Sequence, residues 1–73
     1  MPKPHIAQSL GRLFVVWQTG LGRAFLVERG GSAPWQGTVV ASGALPLSVV
    51  ARLGRATVLY RTPPTRETWA RSQ

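Results

Sequence analysis

The sequence predicts one small α+β domain that is rich in β-structure, in the form of an antiparallel sheet or a partial barrel. Two apolar runs, at residues 12–18 and 23–29, are joined by a short link with two glycines, which is typical of a β-hairpin. Runs rich in β-branched residues follow at 35–42 and 55–61, bounded by glycine and proline. The chain of 73 residues has no cysteine, so its fold depends on one modest hydrophobic core without a disulfide.

The N-terminal residues 1–9 are predicted to form a flexible basic arm that carries Lys3. Pro2 and Pro4 hold their neighbours in extended conformations and lack the backbone N–H that a helix needs. Such an arm is either disordered or reaches into a groove on a partner. The folded domain is therefore expected to span residues 10–62.

The hairpin link Thr19-Gly20-Leu21-Gly22 suits a two-residue type II′ turn, because Gly20 can adopt the positive φ that the first central position needs. This turn sets Arg12 directly opposite Arg29. Like charges in that arrangement either splay into solvent or hold a phosphate or carboxylate between them. In this register one face of the hairpin carries Phe14, Val16, Phe25 and Val27, and the other carries Leu13, Val15, Trp17, Ala24 and Leu26. Because both faces are apolar, either the rest of the chain covers both of them or one face meets a partner.

The second half of the domain is predicted to be a strand, a short helix and a strand. Residues 35–42 predict the third strand, in which Gly37 marks a bulge or a close approach of another group to the backbone. A helix is predicted over 46–53, because it begins with a proline and is followed by Gly54. Residues 55–61 alternate between apolar and polar side chains and predict the last strand.

The C-terminal residues 63–73 are predicted to be a flexible or loosely docked tail. The segment begins with two prolines, and it has only Trp69 and Ala70 to bury. A large ring in a polar tail either docks back onto the domain or anchors a partner. Trp17 has the same two interpretations, as a core residue or as a stacking group, so the aromatic residues expected to contact a partner are Trp17 and Trp69.

Charge is the strongest compositional signal about function. Nine basic residues, of which eight are arginines, stand against Glu28 and Glu67, and the net charge is +7 at pH 7. A small body with this charge attracts nucleic acid, acidic protein surfaces or anionic lipid. Arginine binds phosphate or carboxylate with a two-pronged guanidinium group, although GC-rich coding would produce the same preference for arginine. The basic residues expected to bind a partner are Lys3, Arg12, Arg23, Arg29, Arg55 and Arg61.

The residue types that catalysis needs are sparse. The two glutamates form no evident pair, and the single histidine, His5, has no acidic residue near it in sequence, so no serine has a plausible triad. The segment 20–22 lacks the Gly-Lys-Ser/Thr ending of a phosphate-binding loop. We therefore expect a protein that is not an enzyme and that holds neither a cofactor nor a metal.

The hydropathy pattern bears on location. No stretch of about 18 apolar residues without charges is present, so no membrane span is expected. The N-terminus lacks the apolar run of a secretion signal, and the absence of cysteine suits a reducing compartment. These observations favour a cytoplasmic protein that is a monomer on its own.

In its format the chain resembles small phage-encoded transcription regulators that bind bacterial RNA polymerase, of the type found in a Xanthomonas phage. The resemblance consists of small size, strong basicity and the lack of cysteine and of catalytic groups, and no residue role is carried over from it. It implies an inhibitor that docks on the polymerase, disturbs σ-dependent initiation and favours read-through of terminators, in the cytoplasm of the host.

The sequence is therefore compatible with two functions. The first is a non-enzymatic regulator that docks on the acidic surface of host RNA polymerase, with a direct nucleic-acid contact left open. The second is a small basic module that binds RNA or single-stranded DNA, such as a ribosome-associated protein. They differ in salt dependence, because the neutralisation of several phosphates makes affinity fall steeply with salt, whereas a protein contact with an apolar centre falls less.

Overall fold

In a computed structural model, residues 3–63 and 68–72 are described. This part of the chain contains seven β-strands and no helix. The strands are β1 (His5–Ser9), β2 (Arg12–Gln18), β3 (Arg23–Gly30), β4 (Gln36–Ser42), β5 (Leu45–Arg52), β6 (Arg55–Arg61) and β7 (Thr68–Ser72). The β-rich class is thus confirmed, and the predicted hairpin, third strand and last strand correspond to β2, β3, β4 and β6.

The strands form two antiparallel sheets with neighbouring strands in chain order. The first sheet has the order β1-β2-β3-β4 and the second has the order β5-β6-β7. Strand β5 packs against β1 and β2, so one core lies between the sheets. Its members are at most 2% exposed, and all except Ala44, which lies between β4 and β5, are on strands: Phe14, Val16, Ala24, Leu26, Val40, Ala44, Ala56 and Val58.

The link between β2 and β3 is longer than the predicted type II′ turn. The Thr19 N–H donates to the Arg23 carbonyl at 2.8 Å, and the Gly22 N–H donates to the Thr19 carbonyl at 2.9 Å. The positive φ of 77° belongs to Gly22 and not to Gly20, as in a three-residue loop that ends in a left-handed glycine. The pairing therefore shifts by one residue, and Trp17 lies opposite Phe25 and not Ala24. The shift exchanges the faces of β3 relative to β2, so the predicted composition of the two hairpin faces is wrong.

A strand also lies where the sequence predicted a flexible arm. Residues His5–Ser9 pair with β2 along their whole length, as β1. The tip between β1 and β2 is a two-residue turn in which Leu10 has a φ of 50° and Gly11 a φ of 75°. Two central residues with positive φ define a type I′ turn, whose twist matches that of paired strands. This turn places residues 5–9 back on the edge of the first sheet.

The predicted helix over 46–53 is wrong, because residues 46–52 belong to β5 and Leu53 lies in the turn that follows. Burial alternates with a period of two along this strand: Val49 and Ala51 pack against the core, while Val50 is 56% exposed. The β-branched valines favour this extended conformation. Pro46 is tolerated because β5 is the terminal strand of its sheet and its pairing shifts register between Pro46 and Ser48.

The described part of the C-terminal tail is also a strand. Thr68–Ser72 pair with β6 as β7, where the sequence predicted a flexible or loosely docked segment; residues 64–67 and 73 lie outside the described part. The Arg71 guanidinium Nη1 donates to the Val40 carbonyl at 2.8 Å, which links β7 to β4 of the other sheet.

The described residues contain no helix that could span a membrane.

Candidate binding surface

The outward face of the first sheet is the candidate binding surface. Register places Val15 opposite Val27, Trp17 opposite Phe25, and Phe25 opposite Val39, all on the side away from the core. Trp35 lies just before β4 on the same side, near Arg29. We call this surface the outer aromatic face, and it consists of Val15, Trp17, Arg23, Phe25, Val27, Arg29, Trp35 and Val39.

The aromatic rings of Trp17 and Phe25 are fixed by local contacts. Their centroids are 5.4 Å apart and their planes are inclined at 73°, so the pair has an edge-to-face arrangement. The Phe25 ring lies directly over Gly37 of β4, where a Cβ atom would collide with it. The expectation of a close backbone approach at Gly37 is therefore confirmed. The bulge lies further along β4, at Val40, which has no partner on β3 because Ala24 pairs with Ala41 and Phe25 pairs with Val39.

Two arginines flank the apolar part of β3. Arg23, Phe25, Val27 and Arg29 alternate along the strand, so all four side chains project from the outer aromatic face. The Arg29 guanidinium carbon lies 5.8 Å from the ring centroid of Trp35, within the range of a cation–π contact. Arg23 is exposed at the other end of the strand. The face thus has an apolar centre with a positive charge at each end.

No described element packs on this face. The second sheet contacts the opposite side of the first sheet, where the core lies. Trp35 is 46% exposed and Val39 is 40% exposed, whereas every inward side chain of the core is at most 2% exposed. The chain covers this face only in part, since Val15, Trp17, Phe25 and Val27 are half-buried while Trp35 and Val39 are exposed. An unpartnered apolar face is typical of an interaction surface.

The predicted anion site between Arg12 and Arg29 is not formed. Arg12 lies opposite Gly30, and Arg29 lies opposite Leu13, so the two side chains project from opposite faces of the sheet. Arg12 instead forms an ion pair with Glu28, with 3.3 Å between Nη2 and Oε2. The prediction failed because it assumed a two-residue turn between β2 and β3.

The remaining predicted residues lie away from the outer aromatic face. Arg55 begins β6 and Arg61 ends it, and both are exposed. Lys3 is exposed ahead of β1. Trp69 lies on β7 opposite Tyr60 and is 47% exposed. Of the predicted contact residues, the structure therefore groups Trp17, Arg23 and Arg29 on one surface and leaves the others elsewhere.

Sequence reasoning missed Trp35 as a member of this surface. It begins the predicted strand 35–42, but nothing local shows that it pairs with Arg29 across the sheet. The alternation of Arg23, Phe25, Val27 and Arg29 along β3 is readable from the sequence and places these four residues on one face of the strand. The surface is open, since no pocket is found in the part of the chain that is described.

Comparison with known proteins gives no further guide. No protein-family model, no curated protein and no solved structure matches this chain. The functional argument therefore rests on the surface itself.

Proposed function

We propose that this chain is a non-enzymatic binding protein that docks through its outer aromatic face on an acidic protein surface. The observation that supports this proposal is the half-buried apolar centre of that face, with the exposed Trp35 and Val39 beside it and Arg23 and Arg29 at its ends. Protein interfaces typically combine an apolar centre with tryptophan and arginine anchors and a polar rim. The resemblance in format makes bacterial RNA polymerase the proposed partner.

The arrangement of the rings favours a protein over stacked nucleic-acid bases. Trp17 and Phe25 meet edge to face, so they do not present two parallel platforms. The Arg29 guanidinium lies over the ring of Trp35. Between these aromatic residues the surface is aliphatic, with Val15, Val27 and Val39. Bases bind best to free ring faces, whereas branched aliphatic side chains pack well against protein.

The basic character of the chain would serve the approach to such a partner. A net charge of +7 on a body of 7.9 kDa accelerates encounter with an acidic surface, especially at low salt. Once docked, the protein would act by occupying the polymerase surface. The proposed consequence is inhibition of σ-dependent initiation, together with read-through of terminators.

The direct test measures binding of the fluorescently labelled protein to purified bacterial RNA polymerase holoenzyme. Val27→Asp places a carboxylate at the centre of the outer aromatic face and should weaken binding by about tenfold or more. The matched control is Val50→Asp on β5, because Val50 is an exposed valine of the second sheet. Circular dichroism melting checks whether both variants fold. Run-off transcription on a template with a terminator measures initiation and read-through.

Equal affinity of the Val27→Asp variant and the parent protein would refute docking through this face. Failure of the parent to bind nuclease-treated polymerase would refute the choice of partner. Binding to single-stranded oligonucleotides that depends on Trp17 and Phe25, without binding to polymerase, would instead support the RNA- or single-stranded-DNA-binding module.

A further inference from the structure

A second exposed surface is formed by two neighbouring hairpin tips, residues 9–12 between β1 and β2 and residues 52–55 between β5 and β6. The Gly54 N–H donates to the Ser9 hydroxyl oxygen at 3.1 Å, which holds the tips side by side. A Cβ on Gly54 would lie 3.6 Å from Leu10 Cδ1 and 3.8 Å from Arg12 Cδ, so the tips are in close contact. This surface, the hairpin tips, lies at the end of the sheets and is separate from the outer aromatic face.

Each tip exposes a leucine in an unfavourable backbone conformation. Leu10 has a φ of 50° and is 76% exposed, and Leu53 has a φ of 54° and is 75% exposed. The left-handed region brings Cβ close to the backbone, and type I′ turns normally use asparagine, aspartate or glycine at this position. The fold gains little from these side chains, because neither is buried. Strained backbone that carries exposed apolar side chains is a feature that often accompanies a functional site.

The charges at the tips are also arranged against stability. Arg52 lies directly opposite Arg55 across the β5–β6 tip, and both side chains are exposed. Like charges in this position repel unless an anion lies between them. In the described part of the chain the sole carboxylate side chain is Glu28, and its ion-pair partner is Arg12 of the neighbouring tip. The Arg52–Arg55 pair thus has the geometry that the sequence had suggested for Arg12 and Arg29.

We propose that the hairpin tips bind the sugar–phosphate backbone of a nucleic acid. Arg52 and Arg55 would bind phosphate oxygens, because a guanidinium group matches the geometry of a phosphate and donates two parallel hydrogen bonds to it. Leu10 and Leu53 would pack against sugars or base edges beside the phosphates, since apolar wedges flanked by arginines are a recurrent means of contacting nucleic acid. The proposal does not depend on docking through the outer aromatic face.

The test uses the full chain and a fluorescein-labelled DNA oligonucleotide of mixed sequence, as a single strand and as a duplex. Fluorescence anisotropy over a range of salt concentrations gives the slope of log K against log salt. Removal of two phosphate contacts by Arg52→Gln/Arg55→Gln should make this slope shallower by about two for duplex DNA and by slightly less for a single strand. The matched control is Lys3→Gln/Arg61→Gln, which removes the same charge. The sequence led us to expect partner contacts from Lys3 and Arg61, but they lie at or beyond the ends of β1 and β6 that are remote from the tips, so under this proposal the slope should stay unchanged.

The leucines are tested by Leu10→Asn/Leu53→Asn. Asparagine suits a type I′ turn, so the variant should melt at a higher temperature than the parent protein. It should nevertheless bind DNA more weakly, with an unchanged salt slope, because no charge has been removed. Higher stability together with weaker binding separates a role in binding from a role in folding.

Three results would overturn the proposal. One is equal loss of DNA affinity in the Lys3→Gln/Arg61→Gln control, which would mean that net charge acts without a localised site. Another is unchanged DNA affinity of the leucine variant. The third is binding to vesicles that contain phosphatidylserine, lost in the arginine variant, in a protein that does not bind either DNA. That result would assign the hairpin tips to a lipid surface.

Discussion

The two faces of the β2–β3 hairpin are both apolar, but they have different environments. On the inward face Phe14, Val16 and Leu26 are at most 2% exposed, because the second sheet packs over them. On the outward face Val15, Trp17 and Phe25 are only partly buried, and the contacts that shield them come from the same sheet. Hydrophobicity alone therefore does not distinguish a core from an interaction surface. The difference lies in what the rest of the chain covers.

This difference has an energetic consequence. Burial from water stabilises an apolar side chain in proportion to the area removed, so the inward face contributes most to folding. The outward face retains area that only a partner can remove. Substitutions on the two faces should therefore separate stability from binding.

The largest expected effect is a contrast between Phe14→Ala and Trp17→Ala. Loss of the buried Phe14 ring should lower the free energy of unfolding by about 3–5 kcal/mol, a large fraction of the stability of a small domain. Loss of Trp17 should lower it by about 1 kcal/mol, mainly through the edge-to-face pair with Phe25. Urea unfolding followed by circular dichroism measures both. Equal losses would show that the outward face is as important to the fold as the core.

The next effect concerns the support beneath the outer aromatic face. Gly37→Ala introduces a methyl group into the space of the Phe25 ring and should cost about 1–3 kcal/mol of unfolding free energy. Gly20→Ala is the matched control, since Gly20 has no positive φ and a Cβ there meets nothing within 4 Å. In the Phe25→Ala background, Gly37→Ala should cost little, because the ring that the methyl group meets is gone. A cost that persists without the Phe25 ring would contradict the packing described.

A smaller effect of opposite sign is expected at the hairpin tips. Leu53→Asn should raise the free energy of unfolding by about 1 kcal/mol, because it relieves a left-handed leucine. Leu21→Asn is the control, because Leu21 is equally exposed at 79% but has no positive φ. Thermal melting of the two variants compares them directly. Equal increases in melting temperature for the two variants would mean that the gain comes from removing an exposed leucine side chain and not from relieving a left-handed backbone.

The smallest effect is expected for the ion pair at the rim of the inward face. Arg12 and Glu28 side chains are 44% and 30% exposed, so solvent screens their attraction. A double-mutant cycle with Arg12→Ala and Glu28→Ala should give a coupling of about 0.5 kcal/mol, declining as salt is added. A coupling energy that does not change with salt would show that the pair is shielded from solvent like a buried ion pair.

Four strands could be predicted from sequence because their residues favour extended conformation locally. The runs at 12–18, 23–29, 35–42 and 55–61 are rich in β-branched and aromatic residues, and glycine or proline bounds them. The pairing of β2 with β3 was not predictable to the residue. Either glycine of Thr19–Gly22 can take a positive φ, and the two choices differ by one residue in register. Contacts distant in sequence hold the observed loop, including the bond from the Ala44 N–H to the Gly22 carbonyl at 3.0 Å.

Strands β1 and β5 were not predicted, because Pro2 and Pro4 indicated a flexible arm, and Pro46 and Gly54 indicated the two ends of a helix. The tripeptide Leu-Gly-Arg occurs at 10–12, 21–23 and 53–55, and each time its glycine has a positive φ and its arginine begins a strand. This recurring signal marks three hairpin ends. It would have identified Gly54 as part of a turn between strands instead of the end of a helix.

The bond between the Arg71 guanidinium and the Val40 carbonyl has a consequence for self-association. Strands β4 and β7 are the last strands of their sheets, so each has one edge without a neighbouring strand in its sheet. Exposed edges of this kind act as templates on which further chains can add. A bulky cation fixed across the gap makes both edges poor templates, and the bulge at Val40 disrupts the regular backbone pattern that an incoming strand would need. The Arg71–Val40 bond and the bulge therefore disfavour the addition of a further strand at these two edges.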